Sequence, residues 1–162
     1  MKTLDKPLHA LTAEDLMTCN VMVVPARMSL RGAAGLLMQA RVSGAPVVDD
    51  QGRCVGVLST TDFLKAAGSH PVHRSPESCV CSEWQVVDFC AVPEDSVERY
   101  MTGDPVTVTP DIPLAELARR MLDAHIHRVI VVDEARKPIG IISSTDILAA
   151  VAYHCSPEEA TL

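Results

Sequence analysis

The sequence predicts an α/β protein made of two tandem copies of a β-α-β-β-α unit, and two observations carry that expectation. The first is the stretch RVIVVDEARKPIGIISSTD at 128–146. Two short β-branched runs there flank a polar turn, and the second run gives way abruptly to Ser143-Ser144-Thr145-Asp146. Paired strands leading into a helix start are the expected local structure. The second observation is that the pattern recurs 84 positions apart, with Asp62 matching Asp146 and Met17-Thr18 matching Met101-Thr102. Leu30, Ala34, Leu37 and Val42 match Leu114, Ala118, Met121 and Ile126 at the same offset. Two copies of so large a unit differ from a solenoid, because they must bury their faces against each other. Packing with pseudo-two-fold symmetry is the expected result.

In chain order, residues 1–12 are expected to form a loosely held arm. Ala13 to Thr18 make one helical turn, and Val21-Met22-Val23-Val24 a short strand stopped by Pro25. Leu30, Ala33, Ala34, Leu37 and Met38 fall at helical spacing behind Ser29, a suitable N-cap. Strands at about 45–49 and 53–58 follow, and a second helix begins near Thr60. The second copy repeats the order. Val106-Thr107-Val108 is a strand stopped by Pro110. Leu114, Leu117, Ala118, Met121 and Leu122 form the helical stripe, with Pro113 suited to a first helical position. Strands at about 128–132 and 138–142 and a helix over about 145–152 complete it. The organisation is an arm at 1–12, a first copy at 13–67, an insert at 68–95, a second copy at 96–153 and a tail at 154–162. Within the insert, Gln85 to Phe89 fits either a short strand or a helical turn. Trp84 and Phe89 are expected to dock the insert on an existing apolar surface.

With 162 residues, 48% of them hydrophobic, the chain is long enough for a real core. A formal charge of −7 without clustered Lys and Arg argues against nucleic-acid binding. Neither a signal-like N-terminus nor an apolar run of about 18 residues is present, so no membrane contact and a cytoplasmic setting are the expectations. In that compartment the six cysteines read as thiols or ligands before disulfides.

The motifs resemble those of the CBS domain family, in which two domains in tandem form a Bateman module. The matching features are Met-Thr before a strand, a strand run ending in Asp (Pro46-Val47-Val48-Asp49 and Ile130-Val131-Val132-Asp133), and Gly-x-x-Ser-x-x-Asp at Gly56–Asp62 and Gly140–Asp146. The resemblance implies a regulatory sensor of an adenosyl ligand, such as AMP, ADP, ATP or S-adenosylmethionine, bound in the cleft between the domains, with no obligatory cofactor. It implies that Asp62 and Asp146 hold ribose hydroxyls, while Ser59 and Thr61, or Ser143 and Thr145, approach phosphate. Backbone at Ala45-Pro46 and Val129-Ile130 would face the base. Elementary chemistry is compatible with these roles, since a carboxylate accepts from two adjacent hydroxyls and a helix N-terminus favours phosphate. Gly56 and Gly140 would permit close approach of backbone to ligand. The competing reading is that Ser59 with Asp62, and Ser143 with Asp146, are capping boxes that only start helices.

Arg128, with His127, is placed to reach a phosphate, or else both are solvated turn residues; the first copy has Ser43-Gly44 there and so poorer donors. His73, Cys79, Cys81 and Cys90 carry soft ligand atoms for zinc or iron, but Cys-x-Cys with a distant Cys lacks paired Cys-x-x-Cys loops, so thiols are the preferred state. No nucleophile elbow, phosphate loop or dinucleotide fingerprint occurs, and the chain is not expected to be an enzyme. Met28, Met38 and Met121 read as core filler. Apolar closing helices (Phe63-Leu64; Ile147-Leu148 with Val151) predict a homodimer, and the lack of an effector domain in the sequence points to a separate effector protein or a change of assembly as the output. Two alternatives stand beside ligand sensing: a ligand-free dimerisation or interaction module, and a thiol or metal sensor built on the insert.

Overall fold

The structure is a computed structural model that describes residues 6–68, 79–82, 85–88 and 92–154. Its elements follow the expected doubled order. In the first copy these are β1 (Val24–Pro25), α2 (Leu30–Ala40), β2 (Gly44–Val48), β3 (Cys54–Ser59) and α3 (Thr60–Gly68), with α1 (Ala13–Leu16) before them. A hairpin of β4 (Cys79–Ser82) and β5 (Gln85–Asp88) and the two-residue β6 (Thr102–Gly103) come next. The second copy comprises β7 (Thr107–Val108), α4 (Leu114–Asp123), β8 (Arg128–Val132), β9 (Pro138–Ser143) and α5 (Ser144–His154). The fold is mixed α/β with tandem repeats.

The duplication extends to backbone strain. Positive φ occurs at Asn20 and Asp104, at Arg41 and His125, and at Gly52 and Arg136, each pair 84 positions apart. Arg41 ends α2 in the left-handed conformation, which closes a helix at a cost that glycine would avoid. The β2–β3 and β8–β9 turns are built alike. Asp49 Oδ1 accepts from the backbone of Gln51 and Arg53, both at 2.9 Å, and Asp133 Oδ1 accepts from Lys137 N at 2.8 Å. The Asp that ends each strand run is therefore a turn-builder, and the backbone N–H of Arg53 holds the Asp49 carboxyl below its ordinary range.

The chain folds into two compact units, one of Met22–Pro105 and one of Met1–Val21 with Val106–Leu162. They are out of step with the repeats, because the segment leading into each copy packs on the body of the other. In the first unit, β1 runs parallel to β2, β2 antiparallel to β3, and β3 antiparallel to β6 from the second lead-in. Its core of Val24, Leu30, Leu37, Val47, Leu58 and Phe63 is closed by Val92 and Val97 of that lead-in. In the other unit the sheet is β7-β8-β9, and Thr18 of the first lead-in adds an antiparallel bridge to Ile141. Leu11 and Ala13 are fully buried there with Leu117, Val129, Val131 and Ile142.

The two lead-ins dock by equivalent bonds. Leu30 N donates to Asp95 O at 2.8 Å as Leu114 N donates to Leu11 O at 2.9 Å, and Val97 N meets Met28 O at 2.9 Å as Ala13 N meets Ile112 O at 3.0 Å. Arg31 adds a bond of 2.6 Å to Glu94 in the first unit, where the second copy has Ala115.

Several expectations need correction. Residues 8–12 are not a loose arm, since Leu8–Ala10 form a 3-10 turn and Leu11 has no exposed surface. The first strand is only Val24–Pro25, with Pro25, which lacks an N–H, at its end. Pro113 is the N-cap of α4 rather than its first residue. Met121 is core, but Met38 is 48% exposed. Residues 85–88 are a strand, paired with Cys79–Ser82. Trp84 and Phe89, with the docking expected of them, lie outside the described residues, as does most of the 154–162 tail.

Gly56 and Gly140 are approached closely, but by protein. A Cβ on Gly140 would come within 2.8 Å of Met17 Cβ and Cγ, and one on Gly56 within 3.0 Å of Met101 Cγ and Thr102 O. Each Met-Thr thus seats on the glycine of the opposite copy. Gly140→Ala is expected to lift Met17 off β9 and cost about 1–2 kcal/mol, read as a lower urea midpoint. An unchanged midpoint would show the contact to be slack.

Candidate functional site

In the unit built on the second copy, the antiparallel register sets Arg128 directly opposite Ser143. Val129, Val131 and Ile142 pack into the helix-side core, so alternation sends Arg128, Ile130, Ile141 and Ser143 to the other face. Strand β9 runs into α5 without a spacer, secured by Ser144 N donating to His127 O at 2.9 Å. At that junction Asp146 Oδ2 accepts from Ser143 N at 2.7 Å and from Ser143 Oγ at 2.6 Å, while Asp146 N donates back to Ser143 Oγ at 3.3 Å. This is the reciprocal capping box. Ser143 has one hydroxyl proton and spends it on Asp146, so in the 2.7 Å contact between Ser143 Oγ and Thr145 Oγ1 the donor is Thr145. The half-buried Asp146 keeps its second oxygen without a partner among the described residues.

The first copy repeats the junction with different surroundings. Thr60 N donates to Ser43 O at 3.0 Å, and Ser59 N and Oγ each donate to Asp62 Oδ2 at 2.8 Å. Asp62 is 4% exposed, however, and its other oxygen lies 3.8 Å from Lys65 Nζ. The position of Arg128 is taken by Gly44, where a Cβ would meet Leu58 O at 2.8 Å. No side-chain donor can stand there without moving backbone. Thr61 is exposed, and Ala45 and Pro46 have buried side chains, leaving only backbone to offer. Val129 and Ile130 are buried in the same way.

His127 and Arg128 are both exposed but serve different surfaces. His127 lines an apolar groove of about 490 Å³ between α4 and α5, with Leu122, His125, Ile126, Ile147 and Leu148. Lys65 was missed in the sequence; its signal was the i+3 spacing from Asp62 on a helix. Of the metal candidates, Cys79 and Cys81 lie on β4 opposite Asp88 and Val86, and His73 and Cys90 fall outside the described residues.

The family model described as the CBS domain matches residues 13–69 and 97–153. The chain belongs to the CBS domain family. CBSX2, a chloroplastic CBS domain-containing protein of Arabidopsis thaliana, is 30% identical over 86% of this chain and 63% of its own length. A homoserine O-acetyltransferase of Methanosalsum zhilinae is 26% identical over 91% of this chain but only 25% of its own length. The chain spans about a quarter of the length of such enzymes. Among solved structures, CBSX2 in complex with AMP superposes with a TM-score of 0.67 at 30% identity, covering 88% of this chain and 96% of that one. The CBS domain pair of MJ0100, in complex with 5′-methylthioadenosine and S-adenosylmethionine, gives 0.68 at 23% identity over 89% and 98%. Among the described residues no helix is long and apolar enough to cross a membrane.

Proposed function

We propose that this CBS pair is a regulatory sensor of an adenosyl ligand, and that a phosphate-bearing nucleotide of the AMP type binds at Ser143, Thr145 and Asp146 with Arg128 beside them. The observation that carries the reading is the open oxygen of Asp146 next to two hydroxyls, where α5 leaves the strand that sets Ser143 opposite Arg128. The carboxylate would accept from ribose hydroxyls. Thr145 would meet the phosphate through its backbone N–H at the start of α5, with the guanidinium as a bidentate donor. Backbone of Val129-Ile130 would face the base. The AMP complex of CBSX2, at 30% identity, supports this ligand class. In the first copy Ser59, Thr61 and Asp62 with Ala45-Pro46 form the corresponding weaker site. The output passes to an effector protein in the cytoplasm, and the chain itself catalyses nothing. Calorimetry with AMP, ATP and S-adenosylmethionine tests the reading. Saturable binding of AMP or ATP is expected, and heat from none of the three would reject it.

A second reading, dimerisation, rests on the groove between α4 and α5. Leu122 is 72% and Leu148 65% exposed on its walls, and Met38, the repeat partner of Leu122, is also exposed. Apolar side chains at the same surface position of both copies are better explained by a partner surface than by a solvated face. The protein is expected to sediment as a homodimer at micromolar concentration. A species of 17.4 kDa at high concentration would be the monomer and would exclude it.

A further inference from the structure

The last residue of α5 holds the chain near its start. His154 places Nδ1 2.8 Å from Ala150 O, a carbonyl of the last helical turn, and Nε2 2.8 Å from Lys6 O, 148 positions away. A carbonyl oxygen only accepts, so both ring nitrogens must donate for both contacts to be hydrogen bonds. Neutral imidazole has one N–H and imidazolium has two. The negative end of the α5 dipole favours the cation as well.

Among the described residues, nearby charges are paired with one another or exposed to solvent. The Lys6 ammonium is taken up by Asp15, at 2.8 and 3.0 Å, and this bond holds the Asp15 carboxyl below its ordinary range. His9 on the 3-10 turn and Glu14 on α1 are exposed, and Tyr153 precedes the ring on α5. On α4, Glu116 pairs with Arg120, while Arg119 and Asp123 are exposed. Strand β9 has no titratable side chain.

We propose that His154 is a proton-linked clamp that fastens residues 6–18 to the unit built on the second copy. Protonation completes both bonds, so the folded-state pKa lies above the unfolded value of about 6.5. The clamp is fully closed below that value and opens as pH rises through the folded pKa. At the acid end, docking weakens as Asp15 protonates and releases Lys6. Docking is therefore strongest between the two titrations. The lead-in ends at Thr18, bonded to Ile141 two residues before Ser143, so proton uptake tightens the edge of the strand that carries the candidate ligand site.

The test is a nitrogen-15 histidine titration of the full chain, with the His154 signal assigned by its loss in His154→Gln. Amide hydrogen exchange at Ala13 and Glu14 is followed alongside it. Expected are a pKa raised by about one unit and an opening constant for these amides that grows about tenfold from pH 6 to 8.5. In His154→Gln that growth should vanish. A His154 pKa at or below 6.5, or exchange that ignores pH while the ring titrates, overturns the proposal; so does unchanged pH dependence in the variant. Should the variant not fold, the wild-type titration and exchange decide by themselves.

Discussion

Leu11→Ala is expected to destabilise the protein by about 2–5 kcal/mol, the range for truncating a fully buried leucine. The size follows from where Leu11 sits. It has no exposed surface and packs with Leu117, Val129 and Ile142, while its carbonyl accepts the Leu114 amide at the start of α4. Truncation opens a cavity under α4 and loosens the anchor that positions Met17 on Gly140 and Thr18 on Ile141. Urea unfolding should show a midpoint shift for Leu11→Ala, and little for Leu8→Ala, whose side chain is only partly buried. A loss below about 0.5 kcal/mol, the scale of ordinary surface substitutions, would mean that residues 6–18 are dispensable to that unit.

The second large effect is on ligand affinity. Asp146→Ala should weaken nucleotide binding at least about tenfold, since a charge-assisted hydrogen bond is worth roughly 1.5–3 kcal/mol. Asp62→Ala should weaken it less, because Asp62 is buried and faces Lys65, and nothing stands at Gly44 in place of Arg128. Both carboxylates also cap helices, so each alanine variant loses stability of about 0.5–2 kcal/mol. The two roles separate by experiment. Asp146→Asn keeps an acceptor for the cap but removes the charge, and should approach wild-type stability while binding nucleotide weakly. Equal affinities for wild type and Asp146→Ala would leave Asp146 as a cap alone.

Both readings of Ser143 and Asp146 weighed from the sequence meet in one geometry. The capping box uses one carboxylate oxygen and leaves the other open, so capping and ligand binding do not compete for the same atom. That was legible because a cap spans four consecutive residues whose bonds are local. Lys65, one turn further along, was within the same reach. The separation of His127 from Arg128 was not legible, because it depends on where α4 and α5 leave a groove.

What the sequence alone determined was everything set by near neighbours: the doubled strand and helix pattern, Ser29 as a cap, the Ser-to-Asp clasps, and the matching of positions at a spacing of 84. Only the tertiary structure decided which body each lead-in completes. The physical reason is degeneracy. Both copies offer a glycine in the same strand position and an apolar helix start behind it, so Met17-Thr18 and Met101-Thr102 each face two matching acceptors, and no local preference separates them. The choice falls to chain path and long-range packing, which seat Met17 on Gly140 and Met101 on Gly56. The closure of residue 6 onto residue 154 is hidden for the same reason, since a contact 148 positions long leaves no periodicity to read.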